Sequence, residues 1–161
     1  MVHNLVVGYG SEMPDDSTLD RQVCFALYSA SRAITAAYRT LLADLGVTYP
    51  QYLVLMVLWE RDDRGVRELG DLLELDSGTL SPLLKRLESL GLIERRRLAT
   101  DERRVHIHLT PAGSALRERS SDIPGRLALA TGLSVPELDQ LRVTLTRVRD
   151  TLHSPHHSEE I

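Results

Sequence analysis

Apolar residues recur at helical spacing along most of the chain, and in two stretches the steps alternate between three and four. Val23, Leu27, Ala30, Ile34, Ala37 and Leu41 form one stripe, and Leu138, Leu141, Leu145, Val148 and Leu152 form the other. Heptad-like spacing puts each set on one helix face and suits a helix–helix seam. The first stripe predicts a helix from an N-cap at Thr18 to about Asp44, stopped at Leu45-Gly46. The second follows Ser134-Val135-Pro136-Glu137, a capping box with proline in the first turn.

Between the stripes the pattern changes repeatedly. Leu53–Trp59 is apolar on every side, which predicts a buried helix opened by Thr48 and Pro50. A buried strand is the competing reading, but Pro50 and the polar run Glu60–Asp63 favour helix. Val66–Leu75 reads as a short helix with Leu69, Leu72 and Leu73 inward. Asp76 and Ser77 offer the N-cap of a fourth helix, Ser77–Leu90, ended by Gly91 and lined inside by Leu80, Leu83, Leu84, Leu87 and Leu90. Pro82 costs that helix a backbone hydrogen bond and predicts a distorted first turn, not a break. Leu92–Leu98 and Arg103–Leu109 read as two hairpin strands around the polar loop Ala99–Glu102. Val105, Ile107 and Leu109 alternate there with Arg104, His106 and His108. Thr110-Pro111 caps a fifth helix, which Ile123-Pro124-Gly125 should kink or interrupt.

Two short helices joined by a capped turn and followed by a β-hairpin make a winged helix-turn-helix. The expected fold is mainly α with a small β-hairpin wing, and the N- and C-terminal helices form a dimerisation domain. Residues 48–110 would be the DNA-binding unit, 17–47 and 111–153 the dimerisation region, 1–16 a loose arm and 154–161 a frayed tail. The second helix of such a unit lies in the major groove. That nominates Ser77, Thr79, Ser81, Lys85 and Arg86 on its outward side, with hydroxyls for phosphates or base edges. Arg103 and Arg104 at the hairpin tip are long enough to enter a minor groove, and Arg95, Arg96 and Arg97 would flank the DNA backbone.

Charge modifies this picture. The 161 residues carry a net charge of -4, which taken globally argues against nucleic acid. Yet Lys85–Arg104 holds seven basic and four acidic residues, a local +3 that leaves -7 for the remainder. A basic segment on an acidic body suits a local DNA contact. No apolar run reaches membrane-span length and the N-terminus has no signal pattern, so a cytoplasmic location is expected. No hydrolase triad, phosphate loop or dinucleotide fingerprint is present, and no cofactor or metal is expected. His153, His156 and His157 lack a ligand framework and read as a solvated tail. His106 and His108 read as facing solvent or phosphate.

Cys24 is the single cysteine, so no intrachain disulfide can form. Alone it reads as a small buried hydrophobe. Tyr28 lies one turn on, on the same helix face, where its hydroxyl can hydrogen-bond a thiolate. Tyr38 is about 21 Å further along a continuous helix. It can meet a cysteine only across an antiparallel dimer seam.

Four blocks carry a family resemblance: Gln22–Tyr28 with Ser31-Arg32, Thr48–Tyr52, Leu75–Glu88 and Asp101–Val105. On these the chain resembles the MarR family of winged-helix repressors, and within it the one-cysteine type of organic hydroperoxide resistance regulator (OhrR). The resemblance implies a homodimer on a pseudo-palindromic operator in double-stranded DNA. It implies that Arg103 enters the minor groove, that Asp101 holds the wing, and that Asp76 and Arg86 support the reading head. It also implies that tyrosines of the partner subunit surround Cys24. An organic hydroperoxide would oxidise Cys24 to a sulfenic acid, which a low-molecular-weight thiol would then capture or which would be oxidised further. Three alternatives remain. A phenolic or lipophilic ligand bound non-covalently could release the repressor instead, which thiol reactivity would distinguish. A thiol peroxidase lacks its thioredoxin-like scaffold and resolving cysteine here. A helical interaction module without DNA binding would show no salt-dependent gel shift.

Overall fold

The computed structural model describes residues 18–98 and 101–154, without the side chains of Asp20, Leu98 and residues 101–104. The expected arm over 1–16, the wing-loop residues Ala99 and Thr100, and the tail from 155 on (His156 and His157 included) lie outside the described residues.

The leading helix is shorter than its stripe. A 3-10 turn over Leu19–Arg21 precedes α1, Val23–Leu41, and a second 3-10 turn over Ala43–Leu45 follows it. Gln22 is extended, which separates the first turn from α1, and Thr18 makes no side-chain cap. Gly46 ends the second turn at φ +69°, the left-handed region that glycine enters without strain. The chain divides into two units, residues 1–36 and 37–161, with the boundary inside α1.

The second unit continues with α2 (Tyr49–Glu60), β1 (Arg64–Gly65), α3 (Val66–Leu73), α4 (Ser77–Ser89), β2 (Ile93–Leu98), β3 (Asp101–Leu109), α5 (Pro111–Arg119), α6 (Ile123–Thr131) and α7 (Val135–His153). The antiparallel sheet runs β1-β3-β2. Its register sets Ile93 opposite Leu109 and Arg95 opposite Ile107, with an irregularity between Arg97 and Leu98. Tyr52, Val54, Leu55, Leu58, Leu69, Leu80, Leu84, Leu87, Ile93, Ile107, Leu116 and Ile123 build one buried core under these elements.

The Thr48 capping box starts α2, and the Thr48 N–H donates to Gln51 Oε1 at 2.9 Å. The helix is not buried all round: Met56 is exposed, and Leu53, Val57 and Trp59 are half-buried. α3 stops at Leu73 instead of Leu75 because Glu74 turns to φ +54° and the Leu75 N–H folds back to the Gly70 carbonyl at 2.9 Å. A Cβ on Gly70 would lie 2.9 Å from that Leu75 oxygen, so the turn closes tightly only over glycine. Leu69 points inward from α3, but Leu72 is 53% exposed. On α4, Leu80, Leu84 and Leu87 are buried while Leu90 sits at the surface. Pro82 lies within α4 without breaking it. The two-residue strand β1 is an addition to the hairpin, and β3 begins at Asp101, earlier than Arg103. The Ile123-Pro124 signal does interrupt the helix, which ends at Arg119 and restarts as α6.

Candidate nucleic-acid interface and cysteine site

The front of α4 is held by Asp76. Its carboxylate accepts the Thr79 N–H at 2.8 Å and the Thr79 hydroxyl at 2.9 Å. The Thr79 backbone N–H, then its hydroxyl, hold the Asp76 carboxyl below the usual range. An anion at a helix start also meets the positive end of the helix dipole. Thr79 therefore spends its hydroxyl hydrogen inside the protein and keeps oxygen lone pairs for an outside donor.

Ser77, Ser81, Lys85 and Arg86 are all exposed on α4. Arg95 on β2 reaches Glu88 at 3.1 Å, tying the wing to the end of α4. An exposed pair of this kind adds at most ~1 kcal/mol, so Arg95 can leave it for a phosphate. Arg96 pairs with Glu94, and Arg97 is exposed. The side chains of Asp101, Arg103 and Arg104 lie outside the described residues.

Behind the wing is a cluster that sequence spacing did not reveal. His106 Nδ1 lies 2.6 Å and His108 Nε2 3.2 Å from one oxygen of Asp63, which stands at φ +60° before β1. Asp62 accepts the Leu109 N–H at 2.9 Å. The hydrogen bond to His106, followed by the charges of His108, His106 and Arg61, holds the Asp63 carboxyl below its ordinary value. The two histidines thus face a carboxylate across the sheet, not open solvent or phosphate. Nearby, the buried Arg64 donates to Glu68 at 2.6 Å and to the Arg61 carbonyl at 3.1 Å. Together these contacts pin β3 and α3 to the β1 corner. Among the described residues no His, Cys, Asp or Glu cluster is arranged to hold a metal ion.

Cys24 is exposed near the start of α1, not buried. Tyr28, one turn later, is 57% exposed and accepts a hydrogen bond from Arg32 Nη1 at 2.8 Å. Tyr38 belongs to the second unit, where it joins an aromatic cluster. Its ring stacks on Tyr49 with centroids 4.1 Å apart and lies 6.1 Å from Tyr52, which meets Trp59 edge-on at 5.8 Å. Burial, then the neighbouring Tyr49 and Tyr52, push the Tyr38 phenol up to about 12. Tyr38 is thus a neutral hydrogen-bond donor near neutral pH. Tyr49 was not among the sensing residues nominated from sequence, yet it shares a stack with Tyr38. The cleft flanking Tyr52 and Trp59 and bounded by Met56, Arg117, Ser120 and Pro124 holds about 250 Å³, below the range of usual ligand pockets.

Known proteins match this arrangement. The sequence model of the transcriptional regulators SarA/Rot matches residues 36–120. The organic hydroperoxide resistance transcriptional regulator of Bacillus subtilis (strain 168) is 47% identical over 139 residues, 86% of this chain and 95% of that protein. The regulator TtmR of Methylorubrum extorquens (strain PA1) is 47% identical over 147 residues, 91% of this chain and 75% of that one. The structure of reduced AbfR bound to DNA, from Staphylococcus epidermidis, superposes with a TM-score of 0.72 at 35% identity, covering 83% of this chain and 92% of that one. No described helix is long and apolar enough to cross a membrane. A capped helix-turn-helix, a basic wing and these likenesses lead to one conclusion: the chain belongs to the MarR-type winged-helix family, and it is a DNA-binding regulator of transcription, not an enzyme.

Proposed function

We propose that the protein is a cytoplasmic, homodimeric repressor that releases its operator when an organic hydroperoxide oxidises Cys24. The observation that carries this reading is the exposed Cys24 with Tyr28 one turn away on α1, in a chain 47% identical to a regulator of organic hydroperoxide resistance. In the chemistry proposed, the Cys24 thiolate attacks the terminal oxygen of the peroxide. An S–O bond forms, the O–O bond breaks, and the alkoxide leaves and takes up a proton. Sulfur is oxidised by two electrons and the peroxide is reduced to an alcohol. With no second cysteine in the chain, a small thiol condenses with the sulfenic acid, expelling water and leaving a mixed disulfide.

Residues 17–47 and 111–153 form the dimerisation region in this reading, and 48–110 read DNA. On α7, Leu141, Leu145, Val148 and Leu152 all remain exposed in the single chain, as an unfilled helix seam would. The second copy sets the spacing of two α4 helices in successive major grooves. Ser77, Thr79, Ser81, Lys85, Arg86 and Arg95 contact the operator, Arg103 and Arg104 reach the minor groove, and Asp101 orients the wing. Tyr28 and Tyr38 line the cysteine of the dimer. Bulk added to Cys24 parts these contacts and shifts the half-site spacing. Only contacts that differ between the two states can drive that shift. The ion pair from Arg149 on α7 to Glu74 in the helix-turn-helix turn, 3.4 Å, offers one route from a terminal helix to the reading head.

The test is a gel shift with cumene hydroperoxide, paired with mass spectrometry. Wild-type protein leaves its operator as Cys24 gains oxygen or a thiol adduct, while Cys24→Ser binds and stays bound. Release of Cys24→Ser by peroxide would reject the proposal.

A further inference from the structure

Cys24, Tyr28 and Arg32 fall at i, i+4 and i+8 of α1 and therefore line one helix face. Arg32 is engaged with Tyr28 in two ways. Its Nη1 donates to the phenol oxygen at 2.8 Å, and its guanidinium carbon lies 5.6 Å from the ring centroid. Among the described residues no ion pair joins Arg32 to a carboxylate, and its one side-chain partner is the phenol. We propose that Arg32 is a positioning residue for peroxide sensing: it fixes the Tyr28 phenol and turns it into a donor toward the sulfur of Cys24. This rests on the reading of Cys24 as the sensor.

The argument is one of hydrogen-bond accounting. A phenol has one hydrogen to give and oxygen lone pairs to receive. Arg32, which can only donate, occupies the oxygen. The phenol hydrogen is then directed to an acceptor elsewhere. A cation bonded to the oxygen also strengthens the phenol as a donor, since charge-assisted hydrogen bonds are about twice as strong as neutral ones. The cation over the ring face limits rotation of Tyr28 as well. A thiolate is the acceptor that gains most, and the thiolate is the reactive form. An isolated tyrosine at position 28 could instead accept from a thiol and favour the unreactive state. Arg32 competes for that oxygen and biases the phenol toward donating.

The experiment measures the second-order rate of Cys24 oxidation by cumene hydroperoxide as a function of pH, in the full-length protein. Arg32→Gln should move the rate profile to higher pH, lowering the rate at pH 7 by roughly fivefold to tenfold, a loss equivalent to about one hydrogen bond. The plateau at high pH should not change. Tyr28→Phe should shift the profile similarly, and the double variant no further than Tyr28→Phe alone, because both act through one phenol. Arg32→Lys, which keeps the charge but loses the planar fork, should recover part of the shift. Thermal unfolding and operator affinity of the reduced variants serve as folding controls. A superimposable profile for Arg32→Gln, or a shift that adds fully to that of Tyr28→Phe, overturns the role of Arg32. If the wild-type thiol reacts no faster than free cysteine, the sensing reading itself fails, and that is a different outcome from either.

Discussion

The reading head and the terminal helices solve the burial problem in opposite ways. Within the head, Leu55, Leu69, Leu84 and Ile107 are fully buried. Buried Arg64 is paired, and the turns are closed by Asp76, Gly70 and Asp62. Neither α1 nor α7 contains a buried residue, although both carry apolar stripes. On α7, Val148 is 41% and Leu152 68% exposed. A head of this kind is complete within one chain. Helices with unburied apolar stripes leave a face open, and in the proposed homodimer a second copy covers it. Under the proposed function the difference separates labour: the head keeps its shape to read DNA, while the seam shifts when Cys24 is oxidised.

Four outcomes would break or sharpen that contrast. The largest effect is expected in the head. Leu84→Ala removes a side chain with no exposed surface and should cost about 2–5 kcal/mol, seen as a lowered midpoint in thermal unfolding and loss of operator binding. A loss under 1 kcal/mol would mean that the head is more loosely packed than drawn. Next comes the seam. Leu145→Glu should leave the circular dichroism of the head intact but weaken self-association by roughly 100-fold, about 2.8 kcal/mol, because a carboxylate would be forced into an apolar interface. Sedimentation equilibrium reads this directly, and an unchanged dimer would remove α7 from the interface. Third, Arg103→Ala should lower operator affinity by about tenfold at fixed salt without altering Cys24 oxidation. Equal affinity would count against a minor-groove role.

The smallest effect concerns the corner behind the wing. The Asp63 carboxyl is held below its ordinary value, chiefly by its hydrogen bond to His106. A depressed carboxyl contributes stability above its unfolded value that is lost as pH falls through the folded one. Asp63→Asn should therefore be less stable than wild type at pH 7, with the gap narrowing once pH falls below about 4 and closing only as the lowered folded value is passed. A pH-independent gap would assign Asp63 a purely steric part at its φ of +60°.

Much of the head could be read from local chemistry. Thr48 and Gln51, Ser134 and Glu137, and Asp76 with Thr79 act within three residues of each other, so their side-chain types state the helix starts. Gly46 marks a stop for the same reason. Other features escaped because their partners are far apart in the chain. Asp63 is 43 residues from His106, and the Trp59 indole donates to the Gly113 carbonyl 54 residues away. β1 is two residues long and too short to show a period. Leu72 was expected inside, but it stands 53% exposed on α3. Cys24 was expected to be buried on residue type alone, whereas the helix leaves it exposed. Tyr49 lies in the Thr48–Tyr52 block that carries the resemblance, but only its stacking on Tyr38 ties it to that residue.

The sequence by itself determined the helix starts at Thr48, Asp76, Thr110 and Ser134, the order of helix, turn, helix and wing, and the placing of Cys24 and Tyr28 on one face. These follow from hydrogen bonds and periodicities that span a turn or two of chain. Only the tertiary structure decided that His106 and His108 converge on Asp63, that Tyr38, Tyr49, Tyr52 and Trp59 gather into one cluster, and that Leu141, Leu145, Val148 and Leu152 of α7 stay uncovered while Leu80, Leu84 and Leu87 of α4 are sealed. Those outcomes depend on which distant segments meet, and a stripe of leucines has the same spacing whether its partner is its own core or another chain.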